Sequence, residues 1–152
     1  KITQMNLEDL DLIAPILETD FDDFWNYSIL KSELQNENST IIIAKNDENQ
    51  ILGFAGIWLA VDTMHITNIV VSKKHRKQGI GKELLKGLIN LTIKKDINEL
   101  TLEVRQDNIP AINLYTSFNF KTVGIRKNYY GANNAIIMTL YIDKKFKEEF
   151  LK

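Results

Sequence analysis

Apolar residues recur with helical spacing near the start of the chain: Leu7, Leu10, Ile13, Ile16 and Leu17 fall on one face, and Asn6 followed by Asp9 supplies a start signal. A short strand over residues 2–5 precedes this helix, and a second, less regular helix is expected over residues 27–35. Between them lies an aromatic cluster, Phe21, Phe24, Trp25 and Tyr27, which is long for a connection between helices. The pattern then turns to strands over residues 41–44, 51–61 and 64–71, divided by Asn46-Asp47-Glu48-Asn49 and by Asp62, and an antiparallel meander is expected. From Gly79 the period is helical again, with Ile80, Leu84, Leu85, Leu88 and Ile89 on one face to about residue 94. Leu100, Leu102 and Val104 alternate with Thr101, Glu103 and Arg105, so this strand has one apolar face and carries Glu103 on the other. Strand, helix and strand predict a βαβ crossover with parallel strands and a right-handed connection. Asn108 and Pro110 open a helix through residue 118, and residues 120–125 and 135–142 form a closing hairpin. The order β-α-α-β-β-β-α-β-α-β-β predicts an α/β fold, a mixed, mostly antiparallel sheet of about seven strands with four helices.

Composition narrows the function classes. The chain has 152 residues, 44% of them apolar, with 19 Lys and Arg against 20 Asp and Glu and a formal charge of −1. Neither disorder nor capture of nucleic acid by bulk charge follows from that balance. Without a repeat, a low-complexity stretch or a Pro-rich or Gly/Ser-rich linker, residues 1–152 are expected to form a single domain. No apolar run reaches the roughly 18–20 residues of a membrane span, and the first residues lack the apolar stretch of a secretion signal. The expectation is therefore a soluble, unexported, cytoplasmic protein without a membrane partner. The absence of cysteine excludes disulfides, thiolate ligands and a cysteine nucleophile, and the two histidines lie far from any acidic cluster, so no metal is expected. Chemistry is left to carboxylates, hydroxyls, amines and the backbone. The Lys-rich segment 144–150 reads as a frayed, solvated tail, with a partner contact as the alternative.

The most informative segment runs from Ser72 to Lys82, a strand-to-helix turn rich in Lys and Arg that carries Gly79 and Gly81. Unpaired N–H groups and the positive dipole end of a helix attract anions, and glycines allow close backbone approach, so the turn suits a diphosphate. A solvated basic loop is the bland alternative. A nucleotide-triphosphate loop would need Gly at 76 and Ser or Thr at 83, where the chain has Arg76 and Glu83. The dinucleotide fingerprint fails as well, because its third Gly would fall at Leu84.

What remains is Arg76-x-x-Gly79-x-Gly81, preceded by the strand Asn68-Ile69-Val70-Val71, and here the chain resembles the GNAT superfamily of acetyl-CoA-dependent N-acetyltransferases. Within it, Met64 to Ile69, Leu102-Glu103-Val104-Arg105, Asn108 with Ala111-Ile112 and Leu114-Tyr115, and Gly124 to Tyr130 resemble the ribosomal-protein-alanine N-acetyltransferases (RimI type). The likeness covers nearly the whole chain. There are departures: Asn119 stands where the family usually has glycine, and Asn133-Asn134 where RimI-type enzymes usually carry Glu-Asp.

Acetyl transfer from a thioester to an amine needs a proton acceptor, stabilisation of the carbonyl oxygen and a leaving thiolate. Glu103 is the candidate base, with a surface strand acid as the alternative. Tyr115 is the candidate acid, with core packing as the alternative; by resemblance this tyrosine reaches the sulfur. The resemblance further implies that backbone around Ile69, Val70 and Val71 binds acetyl and pantetheine. It also implies that Arg76, Lys77, Gln78, Gly79, Ile80, Gly81 and Lys82 hold the diphosphate, and that Asn108 contacts the pantetheine arm besides capping its helix. Phe24, Trp25, Tyr129 and Tyr130 would flank a peptide slot by the same analogy. An N-terminal amine of pKa near 8 is about 10% neutral at pH 7, whereas a lysine near 10.4 is only about four in ten thousand neutral, so an N-terminus asks less of a single Glu. The expected partners are acetyl-CoA and a protein or peptide N-terminus, by resemblance an alanine-initiated ribosomal protein, with no direct nucleic acid and a monomer or weak dimer. A small amine such as a polyamine or aminoglycoside, a protein lysine, and a non-catalytic CoA- or RNA-binding module are the alternatives.

Overall fold

The computed structural model describes residues 1–21, 26–130 and 133–152, the side chains of Glu18, Asn128, Tyr129 and Tyr130 excepted. Seven strands follow one another in the sheet as β1-β2-β3-β4-β5-β7-β6, the mixed, mostly antiparallel α/β arrangement expected. The chain divides into two compact units. The first comprises residues 1–59 and 67–90, and the second residues 60–66 and 91–152.

In the first unit, β1 (Ile2–Gln4) pairs antiparallel with β2 (Ser39–Lys45), which pairs antiparallel with β3 (Ile51–Ala60). Helix α1 (Leu7–Ile13) starts as its sequence dictates: the Asn6 side chain accepts from the Asp9 N–H at 2.9 Å, and the Asp9 carboxylate accepts from the Asn6 N–H at 3.1 Å. Asp9 is only 5% exposed and is matched by Lys45, whose Nζ lies 2.6 Å from Oδ1. The single first helix expected to run through Leu17 is instead broken. Pro15 sits in a 3-10 turn over Ala14–Ile16, and the chain resumes as α2 (Leu17–Asp20), because proline offers no N–H and its ring opposes the preceding turn. Helix α3 spans Tyr27–Gln35. These helices and strands enclose Leu10, Ile13, Leu17, Phe21, Leu30, Ile43 and Phe54, with the Phe21 and Phe54 rings 5.4 Å apart. Strand β4 (Thr63–Val71) approaches Gly53 so closely that a Cβ there would stand 2.7 Å from the Val70 carbonyl oxygen. Helix α4 (Ile80–Lys94) buries Leu84, Leu85, Leu88 and Ile89 completely, as the spacing predicts.

In the second unit, β4 meets β5 (Glu99–Arg105) in a parallel ladder at Met64↔Leu100 and His65↔Thr101. Strand β5 pairs antiparallel with β7 (Asn133–Tyr141), which pairs antiparallel with the edge strand β6 (Lys121–Tyr130). The alternation read from β5 holds: Leu100, Leu102 and Val104 are buried while Glu103 lies on the other face. Helix α5 (Ile109–Ser117) is capped by Asn108 and ends at Asn119, which takes a left-handed φ of 73° before Phe120 enters the core. The segment expected to fray is a helix, α6 (Lys144–Phe150). Asp143 caps it at 2.7 Å from the Phe146 N–H, Phe146 stacks on Phe150 at 5.6 Å, and Lys147 reaches Asp96 at 3.8 Å. Among the described residues no helix is long and apolar enough to cross a membrane.

The left-handed turn at Asn119 makes a test of local strain. Asn119→Gly is expected to leave thermal stability unchanged or slightly higher, whereas Asn119→Val should cost roughly 1–2 kcal/mol because a β-branched side chain clashes in this region. Equal melting temperatures for the two variants would contradict the assignment.

Candidate active site

The turn expected to bind a diphosphate lies within the first unit. After Val71, Ser72 is almost fully buried at 2% exposure, and its N–H donates to the Leu52 carbonyl at 2.8 Å, which fixes the strand end. A 3-10 turn over Lys73–His75 follows, with the His75 N–H donating to the Ser72 carbonyl at 2.9 Å. Arg76 folds back so that its Nε lies 3.4 Å from the Val71 carbonyl oxygen. The chain then reverses through left-handed conformations at Lys77 (φ 64°) and Gly79 (φ 79°) and enters α4. The Gly79 carbonyl accepts the first helical bond, from the Glu83 N–H at 3.1 Å, so the amides of the opening turn have no helical carbonyl to meet.

A Cβ at Gly79 would meet nothing within 4 Å, and one at Gly81 only the Val71 side chain at 3.8 Å. Packing within the protein therefore does not require glycine at Gly81; Gly79 is required by its φ. Both leave open space over a helix N-terminus beside exposed Arg76, Lys77 and Lys82. The donor set, with its amides, dipole end and cations, fits a diphosphate. On β4, Ile69, Val70 and Val71 are partly buried.

The second unit carries Glu103 and Tyr115, the candidate base and acid. Glu103 lies on β5 opposite Ile137 of β7, and its Oε1 is 2.8 Å from an Arg126 guanidinium nitrogen. Arg126 stands on β6 opposite Ala135, so its long side chain crosses the width of β7, over the small Ala135, to reach the carboxylate. The carboxylate is the more covered partner, 29% exposed against 52%. Nothing in the spacing around Arg126 points to this pairing.

Tyr115 projects from α5 with its ring 5.6 Å from Phe120. Burial pushes its phenol up to about 12, which keeps it protonated but makes it a poorer proton donor than a free phenol. Asn108 caps α5, its Oδ1 accepting from the Ala111 N–H at 3.3 Å. His65 was also missed. Its Nε2 lies 3.1 Å from the Thr63 hydroxyl, which in turn lies 3.2 Å from the Ala60 carbonyl. Burial pulls the imidazole below its ordinary value, and the Glu103 carboxylate opposes that shift. His65 faces Thr101 across the parallel ladder, two residues before Glu103 on the same face, a relation that single-strand spacing does not reveal.

Of the aromatic residues expected to flank a peptide slot, Phe24 and Trp25 lie outside the described residues. Tyr129 and Tyr130 belong to β6, with Tyr130 opposite Asn133, and their side chains are not described. Among the described residues no cluster of His, Asp and Glu suited to a metal is found. The neutral pair Asn133-Asn134 opens β7, and Asn134 Nδ2 donates to Gln106 Oε1 at 3.2 Å.

Comparison with known proteins places this arrangement. Residues 5–120 match the model of the acetyltransferase (GNAT) family. A protein of Bacillus subtilis (strain 168), provisionally named a [ribosomal protein bS18]-alanine N-acetyltransferase, is 35% identical over 146 residues, 94% of this chain and 96% of that protein. The crystal structure of the ribosomal-protein-S18-alanine N-acetyltransferase from Escherichia coli superposes with a TM-score of 0.82 at 32% identity, covering 94% of each chain. A candidate streptothricin acetyltransferase from Bacillus anthracis str. Ames, solved in complex with acetyl coenzyme A, is similar at a TM-score of 0.67 and 26% identity, over 74% of this chain and 68% of its own.

The buried phenol has a consequence for stability. Its folded value of about 12 lies above the roughly 10 of an unfolded tyrosine, so its contribution is full below pH 10 and is lost as pH rises from 10 to 12. Tyr115→Phe should therefore flatten the alkaline fall in unfolding free energy over that interval, by an amount on the order of 2–3 kcal/mol. Urea titrations at pH 8 and pH 11 check it, and an equal alkaline loss in both proteins would count against a buried phenol.

Proposed function

The chain belongs to the GNAT family of acetyltransferases, an acetyl-CoA-dependent N-acetyltransferase, and we propose that its acceptor is the N-terminal α-amine of a protein, an alanine-initiated ribosomal protein of the bS18 kind. The observation that carries the acceptor is the 35% identity to a protein of that name across 94% of the chain. The thioester, when bound, supplies the activated acetyl group.

In the proposed mechanism, the amides at residues 79–82 and the side chain of Arg76 hold the diphosphate. Backbone of Ile69, Val70 and Val71 takes the acetyl and pantetheine groups, and the Asn108 side-chain amide, whose oxygen is committed to capping α5, offers its NH2 to the same arm. Glu103 accepts a proton from the attacking amine, with Arg126 holding the carboxylate in place. Tyr115 donates a hydrogen bond to the departing sulfur. A phenol held near 12 gives up its proton to a thiolate, whose ordinary value is about 8.5, only at considerable cost, so stabilisation of the developing charge is the larger part of its role.

The amine arithmetic favours the same acceptor. A free N-terminus is neutral about two hundred times more often than lysine at pH 7. Turnover is read as CoA release from acetyl-CoA with three acceptors: an alanine-initiated peptide lacking lysine, the same peptide N-terminally blocked with one lysine added, and spermidine. Activity on the free N-terminus alone is expected. Glu103→Gln should lower kcat by about 100-fold or more, and Arg76→Ala should raise the KM for acetyl-CoA several-fold with little change in kcat. Turnover confined to lysine or spermidine would overturn the acceptor, and acetyl-CoA binding without turnover on any arm would favour a binding module.

A further inference from the structure

The candidate base does not stand alone. Glu103 Oε1 lies 2.8 Å from the Arg126 guanidinium, and the contact is built into the sheet: Arg126 stands opposite Ala135 on β7, Glu103 opposite Ile137, and Ala135 is fully buried. The other charged or titratable side chains described on these strands are Glu99 and Arg105 on β5, Tyr141 on β7, Lys121 and Lys127 on β6 and His65 on β4, with Tyr115 on α5. Arg105 pairs with Asp107 at 2.9 Å, and the Glu103 charge acts on the His65 imidazole. Among the described residues Arg126 is the one cation within ion-pair distance of the Glu103 carboxylate.

A guanidinium carries a permanent charge, so a proton placed on Glu103 leaves that charge without its partner. An acceptor that arrives as an ammonium meets two penalties. It has to share one anion with a second cation, and it has to leave its extra proton on a carboxylate that the guanidinium already claims. A neutral amine meets the first penalty not at all and the second only as it attacks. We infer that Arg126 sets the charge state in which the acceptor enters: by holding Glu103 in a formally neutral pair, it disfavours the ammonium and admits the free amine.

The protons balance on this route. The ammonium loses its extra proton to water before binding. The amine nitrogen then bonds to the acetyl carbon as the carbon–sulfur bond breaks, and the proton that nitrogen sheds passes to Glu103, which returns it to solvent while the thiolate takes one up. At pH 7 such a filter favours an N-terminus over lysine by the roughly two-hundredfold difference in neutral fraction. Without Arg126 a lone carboxylate attracts either ammonium, and the advantage should shrink.

This selection rests on the proposed acetyl transfer, and a binding measurement separates the two. Two peptides are compared at about pH 6 with CoA present, one beginning with alanine, whose amine is about 99% charged there, the other with lactate, its neutral isostere. The wild-type protein is expected to bind them within about twofold of each other, whereas Arg126→Gln should prefer the charged peptide about tenfold. Arg126→Lys keeps the charge and should stay near the wild type. Arg126 is half-exposed, so neither replacement is expected to unfold the sheet, and melting temperatures check that. An unchanged preference in Arg126→Gln, or the same change in both variants, would overturn the inference. In turnover, wild-type kcat/KM for the alanine peptide should rise about tenfold per pH unit below about pH 7.5, tracking the amine's own deprotonation, and Arg126→Gln should flatten that rise. Equal slopes would likewise overturn it. Should the wild-type protein turn over only lysine or spermidine, the acceptor assignment falls, and the two slopes are compared on the amine it uses.

Discussion

The proposed phosphate turn depends on one fixed point, the buried Ser72 at the end of β4, whose N–H donates to the Leu52 carbonyl at 2.8 Å. This strand end leads directly into the turn at Lys77 and Gly79. The stretch thus ends in a helix N-terminus with open space over Gly79 and Gly81, the kind of donor that a diphosphate would require.

Two groups of the second unit share a common bias. Burial raises the phenol of Tyr115 and lowers the imidazole of His65, and in both cases the neutral form is favoured. Glu103 is ion-paired with Arg126 at 2.8 Å. An environment of this kind also favours the neutral form of an amine, the form that can attack. It has a cost: a neutral phenol at about 12 is a reluctant acid, so in the proposed mechanism it serves the leaving sulfur more as a hydrogen-bond donor than as a proton source.

Local pattern made most of the fold legible in the sequence. Helices α3 and α4 and the alternation of β5 follow from spacing, and the capping box at Asn6 and Asp9 is local chemistry that the structure bears out. The break at Pro15 was equally local but was outvoted by an apolar repeat that continues through it. Helix α6 escaped because a seven-residue, Lys- and Glu-rich segment gives little periodicity; Asp143 and the Phe146–Phe150 stack hold it. Arg126 and His65 were invisible for a different reason. Arg126 pairs with Glu103 across β7, and His65 stands opposite Thr101 on the face that carries Glu103; both relations come from register, which belongs to the sheet and not to any one strand.

The departures from the resemblance are explained unequally. Asn119 adopts φ of 73°, and asparagine is the side chain that best tolerates the left-handed region after glycine, so the replacement preserves the turn. Asn133-Asn134 changes charge where acids were expected, and the structure gives Asn134 a different occupation, bonding Gln106 beside the end of β5. Those two positions are neutral, and Glu103 is paired with Arg126. An acceptor recognised under those conditions gains more from arriving uncharged than from electrostatic capture. Of the amines weighed, the N-terminal α-amine is the one that is neutral in appreciable fraction at pH 7. The loss of the acidic pair, which at first weakens the case for a cationic peptide end, thereby favours an N-terminus over lysine.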